Sequence, residues 1–318
     1  MAITIRKAGI LTTVQDLGRG GWHRLGVGTA GAMDARAVRI VNALLGNPDG
    51  EAVLELHFPA GEIAFESDAV IALGGADFDA RIDGESLAVW QTLGVAKGAV
   101  LRFACKRSGE RVYLGVAGGF AIDEWLGSRS TYLAAGVGGS YGRRLLAGDR
   151  LEFNVGRSMS FVPTFAAGPS MCGLNEGGPI RILPGPEFHL FSARSLQRLF
   201  ECEFIISPES DRMGCRLIGE SLDTLEHSEL LSSAVCFGTV QLLPDGQLII
   251  LGADHQTTGG YPRVAVVASA DLHKLAQRGP GESLRFELIS QDEAVSLMLE
   301  FERSLRLLRT GRMISGGL

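Results

Sequence analysis

The stretch "VQLLPDGQLIILGADHQTTGGYPR", residues 240–263, decides how this chain folds. Two apolar runs flank Pro244, Asp245 and Gly246, a composition that turns the backbone back on itself, so the segment predicts a β-hairpin. Straight after the second run come a carboxylate (Asp254), an imidazole (His255), an amide (Gln256) and two hydroxyls (Thr257, Thr258). Gly259, Gly260, Tyr261 and Arg263 follow. A surface turn needs polarity, but not that density of different functional groups. Polar loops fed by rigid strands are where sites are usually built. A well-bonded turn is the alternative reading of the same residues.

The chain has 318 residues, of which 46% are hydrophobic and 21% charged, with a net charge of -6 and no long block of either sign. That length accommodates two cores. The charge argues against nucleic acid or an anionic membrane as partner. Forty-three glycines against 11 prolines point to many short strands joined by tight turns. Five cysteines, an odd number with no CxxC spacing, argue against a disulfide framework or a zinc site. The N-terminus lacks the apolar core of a signal peptide, and no apolar run approaches the ~18 residues of a membrane helix. A cytoplasmic protein with free thiols is expected.

Faint internal echoes run through the chain in one order. Met33 in "AGAMD" corresponds to Met213 in "SDRMG", Asp77 in "IALGGAD" to Asp254 in "IILGAD", and Phe103 in "KGAVLRF" to Phe286 in "PGESLRF", at offsets of 180, 177 and 183 residues. They predict two related halves. "RVYLGVAGG", "GDRLEFNVG", "IRILPG" and "CEFIISP" read as further strands. Helices are few. Residues 33–45 place Ala37, Val41, Leu44 and Leu45 on one face before Gly46. "SADLHKLAQ" begins with Ser269 as an N-cap. A last helix opens with a Ser290/Glu293 capping box and carries a stripe of Ala294, Met298, Phe301, Leu305 and Leu308, read as a docking face. The expected class is mainly β with a few helices, in two barrel-like domains at 1–168 and 178–318, the second including the C-terminal helix.

Three further stretches concentrate polar groups. "SPESDRMGCR", residues 207–216, crowds Asp211, Arg212 and Arg216 around a bend at Gly214; an exposed ion pair is the plain alternative. "GVGGSYGRRLLAGD", residues 136–149, joins Gly138 and its neighbours to Arg143; its amides could form an anion nest or a simple hairpin connection. "LTTVQDLGRGGWHR", residues 11–24, offers Gln15, Asp16, Arg19 and His23, or a fixed turn. No P-loop ending, HExxH or biotinylation tetrapeptide is present, and the six histidines show no ligand spacing, so no metal site is expected.

"LTTVQDLGRGG", "GAMD", "LGSRSTY", "GVGGSYGRRLLAGD", "GPE", "SDRMGCRL" and "DHQTTGGYPR" together resemble the allophanate hydrolase subunit 2 family, also called the biotin-dependent carboxyltransferase family. The resemblance runs from about Ile5 to Phe286. It implies two cyclophilin-like β-barrels, in agreement with the echoes. It also implies a smaller sister chain, the B-type subunit, and for some members a third, A-type subunit. Family roles include ATP-dependent opening of 5-oxoproline to glutamate, the work of the C-type subunit of 5-oxoprolinase with its partners. They also include carboxyl transfer to urea from carboxybiotin carried elsewhere, and antagonism of a kinase inhibitor without turnover. A chain with no biotin-carrying domain fits the first, with a lactam or urea-like small molecule as substrate.

On that reading Arg212 and Arg263 are anion clamps, Asp254 is base or positioner, and Tyr261 and Thr257 are orienting donors. Gln256, Thr258, Asp211, Gly138 and Arg143 complete the candidate substrate contacts. The sequence departs from the family pattern where His255 stands in place of an arginine, and where Gly28 and Ala30 replace a proline and a serine.

Overall fold

A computed structural model describes residues 1–154, 164–173, 177–225 and 230–315. The protein is mainly β, with four α-helices among the described residues. It forms two compact units. The first takes its described residues from Met1–Arg19, Ala30–Asn175 and Glu302–Leu318; the second takes Gly20–Thr29 and Glu176–Phe301. Residues 20–29 and those from 302 onward thus join the unit opposite to the one a single cut between 168 and 178 would assign them.

The first unit contains β1 (Ala2–Lys7), β2 (Thr12–Gln15), β3 (Val53–His57), β4 (Glu62–Phe65), β5 (Ala69–Asp77) and β6 (Ala80–Ile82). It continues with β7 (Glu85–Ser86), β8 (Thr92–Val95), β9 (Val100–Phe103), β10 (Ser108–Val116) and β11 (Arg150–Glu152). Their strand orders are β11-β1-β4-β9-β6-β7 and β2-β3-β10-β5-β8. Inward residues such as Ile3, Leu54, Phe65, Leu101 and Leu114 make one buried core.

Helix α1 (Ala35–Leu45) covers β5 and β10. Asp34 caps it, its Oδ1 accepting from Ala37 N at 2.8 Å, and Gly46 ends it in the left-handed region (φ 74°). Ala37, Val41, Leu44 and Leu45 are all buried, as their spacing predicts. The helix comes close because two strand positions lack a side chain. A β-carbon at Gly115 would lie 2.6 Å from Val41 Cγ1 and 2.7 Å from Leu45 Cδ1. One at Gly74 would lie 2.7 Å from Val41 Cγ2.

The second unit contains β12 (Ile180–Pro184), helix α2 (Ala193–Glu201), β13 (Phe204–Ile206), β14 (Gly214–Ile218), β15 (Ser233–Ala234), β16 (Thr239–Leu242) and β17 (Leu248–Leu251). Then come β18 (Thr258–Gly259), β19 (Arg263–Val267), helix α3 (Leu272–Ala276), β20 (Ser283–Leu284) and β21 (Phe286–Leu288). Eight strands form one sheet in the order β20-β13-β14-β17-β16-β19-β12-β21. Its two outermost strands are separated in sequence only by Arg285, so the sheet curls until its rims meet at neighbouring residues and forms a nearly closed barrel. The β16–β17 hairpin around Pro244-Asp245-Gly246 is as the sequence predicts. The sheets of the two units do not repeat one another strand for strand. Phe103 ends β9, paired antiparallel with β4 and β6, whereas Phe286 begins β21, paired parallel with β12.

Helix α2 was not expected; Ser192 caps it through Ser195 N at 3.1 Å. The last helix, α4 (Gln291–Ser315), opens with the predicted capping box: Glu293 N donates to Ser290 Oγ at 3.2 Å and Ser290 N to Glu293 Oε2 at 2.7 Å. Its stripe divides. Leu305 and Leu308 are buried, whereas Met298 is 44% exposed, so only the later turns are docked. Those turns are tied within the first unit by Arg39 to Glu302 at 2.8 Å and by an Arg309–Asp49 pair. No helix among the described residues is long and apolar enough to cross a membrane.

The glycine floor under α1 yields a measurable expectation. Gly115→Ala overpacks the helix–sheet contact and lowers stability by about 1–3 kcal/mol. Adding Val41→Ala recovers part of that loss, and chemical denaturation of both variants reads the coupling.

Candidate functional site

The face that β14, β16 and β17 turn away from the core follows from their period of two. Cys215, Leu217, Val240, Leu242, Leu248 and Ile250 point into the second unit's core. Gly214, Arg216, Gln241, Ile249 and Leu251 therefore share the opposite face, with Gly214 opposite Leu251, and Arg216 and Gln241 each opposite Ile249. That face floors a cavity of about 540 Å³, whose walls include Glu209, Asp211, Met213, Asp245, Gln256 and Tyr261. Its size lies in the range of small-molecule sites.

Two of the polar stretches meet beside it. Asp254 N donates to Arg212 O at 2.9 Å and Gly252 N to Met213 O at 2.9 Å. A side chain at position 252 would bring its β-carbon within 2.3 Å of Arg212 O, so glycine is needed for the approach. The side chains then close the junction: Arg212 Nε donates to Asp254 Oδ2 at 2.9 Å and Nη2 to Oδ1 at 3.0 Å, with both residues buried, at 4% and 3% exposure. Asp211, next in sequence, is exposed and accepts from Met213 N (2.8 Å) and Gly214 N (3.1 Å), which makes the bend expected at Gly214.

Arg263 is likewise engaged within the chain. Its fork is held by Glu187, Nε to Oε2 at 3.0 Å and Nη2 to Oε1 at 2.7 Å, and this partner draws the Glu187 carboxyl below its usual range. "GPE" supplies this contact: a β-carbon at Gly185 would fall 2.1 Å from Arg263 O. Thr257 accepts at its carbonyl from Val235 N, and Thr258 pairs with Ala234 in the β15–β18 ribbon. Gln256 and Tyr261 reach the cavity, Tyr261 being 45% exposed. Arg216 also reaches it, exposed, and its guanidinium has no ion-pair or hydrogen-bond partner among the described residues.

His255 lies beneath this loop, buried. Its Nδ1 sits 2.6 Å from Gln256 O and its ring meets His23 edge-to-face at 5.8 Å. A carbonyl partner assigns the Nδ1 proton to the ring. Burial pushes the imidazole pKa down, against the Gln256 carbonyl, and the His23 ring adds to the lowering.

Gly138 and Arg143 belong to the first unit. Two glycine positions of 136–142 are filled by the chain itself: β-carbons at Gly138 and Gly142 would fall 2.2 Å from Ser130 O and 2.1 Å from Gly136 O. Arg143 pairs with Asp149, Nη1 to Oδ2 at 2.6 Å, and lies 4.5 Å over the Tyr141 ring. The 11–24 stretch divides between the units. Asp16 is buried and accepts from Gly18 N, Arg129 N and the hydroxyls of Ser128 and Ser130, while Arg19, also buried, reaches Ser130 O and the Trp125 ring. His23 belongs with His255 in the second unit.

Sequence reasoning did not select Gln241, Glu209 or Asp245 as cavity residues. The usable signal was strand alternation: Gln241 occupies the outward position of a strand whose neighbours, Val240 and Leu242, face the core. Among the described residues no group of three or more acidic, histidine or cysteine side chains is placed to hold a metal ion.

The short-stranded sheets and the paired motifs define a carboxyltransferase-type protein: residues 25–288 match the carboxyltransferase domain, subdomain A and B, and the chain belongs to that family. It is 40% identical to the C-type subunit of 5-oxoprolinase from Escherichia coli, over 95% of this chain and 96% of that protein. It is 37% identical to the corresponding 5-oxoprolinase chain of Haemophilus influenzae, over 93% and 94%. The crystal structure of the K. lactis urea amidolyase superimposes with a TM-score of 0.89 at 28% identity, covering 96% of this chain and 20% of that one.

Two expectations follow from the site. Asp254→Asn removes the carboxylate that faces the buried Arg212 charge and destabilises the protein by about 3–5 kcal/mol; the double variant Arg212→Met/Asp254→Leu costs less than the sum of the single changes, as read by denaturant titration. His255 has a folded pKa below its unfolded value of 6.5, so the unfolded chain takes up the extra proton first. Its contribution is complete above that pH and is lost as pH falls through it. Stability measured at about pH 7.5 and about pH 5.5 drops more in the wild type than in His255→Gln.

Proposed function

We propose that the chain is the C-type subunit of an ATP-dependent 5-oxoprolinase, which opens 5-oxoproline to glutamate together with a sister B-type subunit and a third, A-type subunit. The observation that carries this reading is the 40% identity to a protein of that name along nearly the full length of both chains. The cavity on the β14–β16–β17 face supports it, since it is of small-molecule size and has amide, phenol and guanidinium groups on its wall.

Ring opening needs a lactam carbonyl made electrophilic, donors for the developing oxyanion and a group that orients the attacking water. ATP, when bound in the complex, supplies the phosphoryl group that activates the lactam oxygen. We place it away from the 136–149 loop, because Gly138 and Gly142 are packed against backbone and Arg143 is taken by Asp149. In this chain Tyr261, Gln256 and Thr257 are the orienting donors. Of the two roles open to Asp254 we assign the positioner's: locked to Arg212, it fixes the backbone that presents Asp211 and Gln256. Arg263, held by Glu187, braces the far end of the same loop. We also propose a cytoplasmic location, in keeping with five free thiols. The ordered echoes at Met33/Met213, Asp77/Asp254 and Phe103/Phe286 support a common, cyclophilin-like origin of the two units.

A second reading draws on the urea amidolyase likeness. The chain would then transfer a carboxyl group from carboxybiotin to urea or an amide, with Gln241 and Gln256 offering amide edges to the ureido ring. Co-expression with the sister and third subunits, followed by assay of ATP hydrolysis and glutamate release, separates the readings. Turnover dependent on 5-oxoproline and on all chains is expected. Turnover only with carboxybiotin would transfer the assignment to the second reading. Tight partner binding with no turnover of any lactam or urea would make the chain a regulator.

A further inference from the structure

We infer that Arg216 is the specificity-determining residue of the cavity, clamping the carboxylate of an α-amido acid, with Glu209 receiving the N–H beside that carboxylate. The inference rests on the 5-oxoprolinase reading and names the groups that would select its substrate.

Arginine is the side chain best suited to hold a small carboxylate, through two parallel N–H bonds from one rigid fork. The second unit's polar motifs offer three. Arg212 spends its fork on Asp254, and Arg263 spends its fork on Glu187, each through two hydrogen bonds. Arg216 has no such partner among the described residues, and it stands on the cavity floor. Its backbone is fixed: Arg216 N donates to Ser210 Oγ at 3.0 Å, Ser207 N donates to Arg216 O at 2.9 Å, and the residue pairs with Ile249 across β14–β17. The position is rigid while the guanidinium is uncommitted, as a ligand-binding arginine requires.

The acidic groups on the same walls sharpen the choice. Asp211 accepts from Met213 N and Gly214 N, and Asp245 from Gln247 N at 3.0 Å, so both carboxylates serve their own turns. Glu209 has no side-chain partner among the described residues and is exposed. One cavity thus presents an uncommitted cation and an uncommitted anion. Their complement is a ligand that carries both a carboxylate and an N–H donor. 5-Oxoproline carries its carboxylate on the carbon attached to the lactam nitrogen, and glutamate carries a carboxylate and an ammonium there. Urea has no carboxylate and would leave Arg216 unanswered.

The test uses the complete complex with Arg216→Met, Arg216→Lys and Glu209→Gln, assayed on 5-oxoproline and on 2-pyrrolidinone, the same lactam without the carboxylate. Arg216→Met should raise KM for 5-oxoproline by about 10–100-fold, the loss expected for a charged hydrogen-bonded pair, with Arg216→Lys intermediate. Activity on 2-pyrrolidinone, however low, should stay within about twofold of the wild type, a split that general loss of structure would not give. Glu209→Gln should raise KM for 5-oxoproline by a smaller factor of about 3–10. An unchanged KM in Arg216→Met, or equal losses on both lactams, would overturn the inference while leaving the 5-oxoprolinase reading intact. A wild-type complex inert toward 5-oxoproline would overturn that reading and this inference with it.

Discussion

The buried pair between Arg212 and Asp254 is the constraint on which the candidate site depends. Two charges at 4% and 3% exposure are tolerable only when each answers the other with good geometry. The geometry is supplied by backbone: Gly252 lets the strand after β17 pass against Arg212 O, and two main-chain hydrogen bonds set the spacing before the side chains meet. Such a pair adds little net stability compared with an apolar replacement, but breaking one half of it is costly. Its value lies in fixing one register for the two segments that wall the cavity.

The same logic runs through the other motifs. "GPE" meets "YPR" through Glu187 and Arg263, with Gly185 making room. "TTVQD" meets "LGSRSTY" through Asp16, and "GVGG" fits under Ser130 O at Gly138. Much of the polarity packed into these stretches is consumed inside the protein, as buried polar groups require. The side chains left to face a ligand are few: Arg216 and Glu209 from one motif, Gln256 and Tyr261 from the other.

Local features were legible in the sequence because local physics decides them. The 240–251 hairpin, the Ala37–Leu45 face with its Gly46 stop, and the Ser290/Glu293 box rest on residues a few places apart. Helix α2 was hidden because Arg194, Gln197 and Arg198 dilute its apolar stripe: in "ARSLQRLFE" only Leu199 and Ser195 are fully buried. The committed partners of Arg212 and Arg263 lie 42 and 76 residues away, and no spacing rule reaches that far. Cavity residues such as Gln241 were missed because their strand reads as core. The one sign of the outward face was the alternation of Gln241 with Val240 and Leu242.

The interleaved path of the chain bears on how the molecule is made. The first unit numbers Glu302 onward among its own residues, and Leu305 and Leu308 are buried there. During synthesis, domains usually settle in order of emergence from the ribosome. Here the N-terminal unit cannot complete its packing until the final helix has left the exit tunnel. Until then Asp49 and Arg39 wait without Arg309 and Glu302. A nascent chain halted before that helix would leave exposed the apolar surface that covers Leu305 and Leu308.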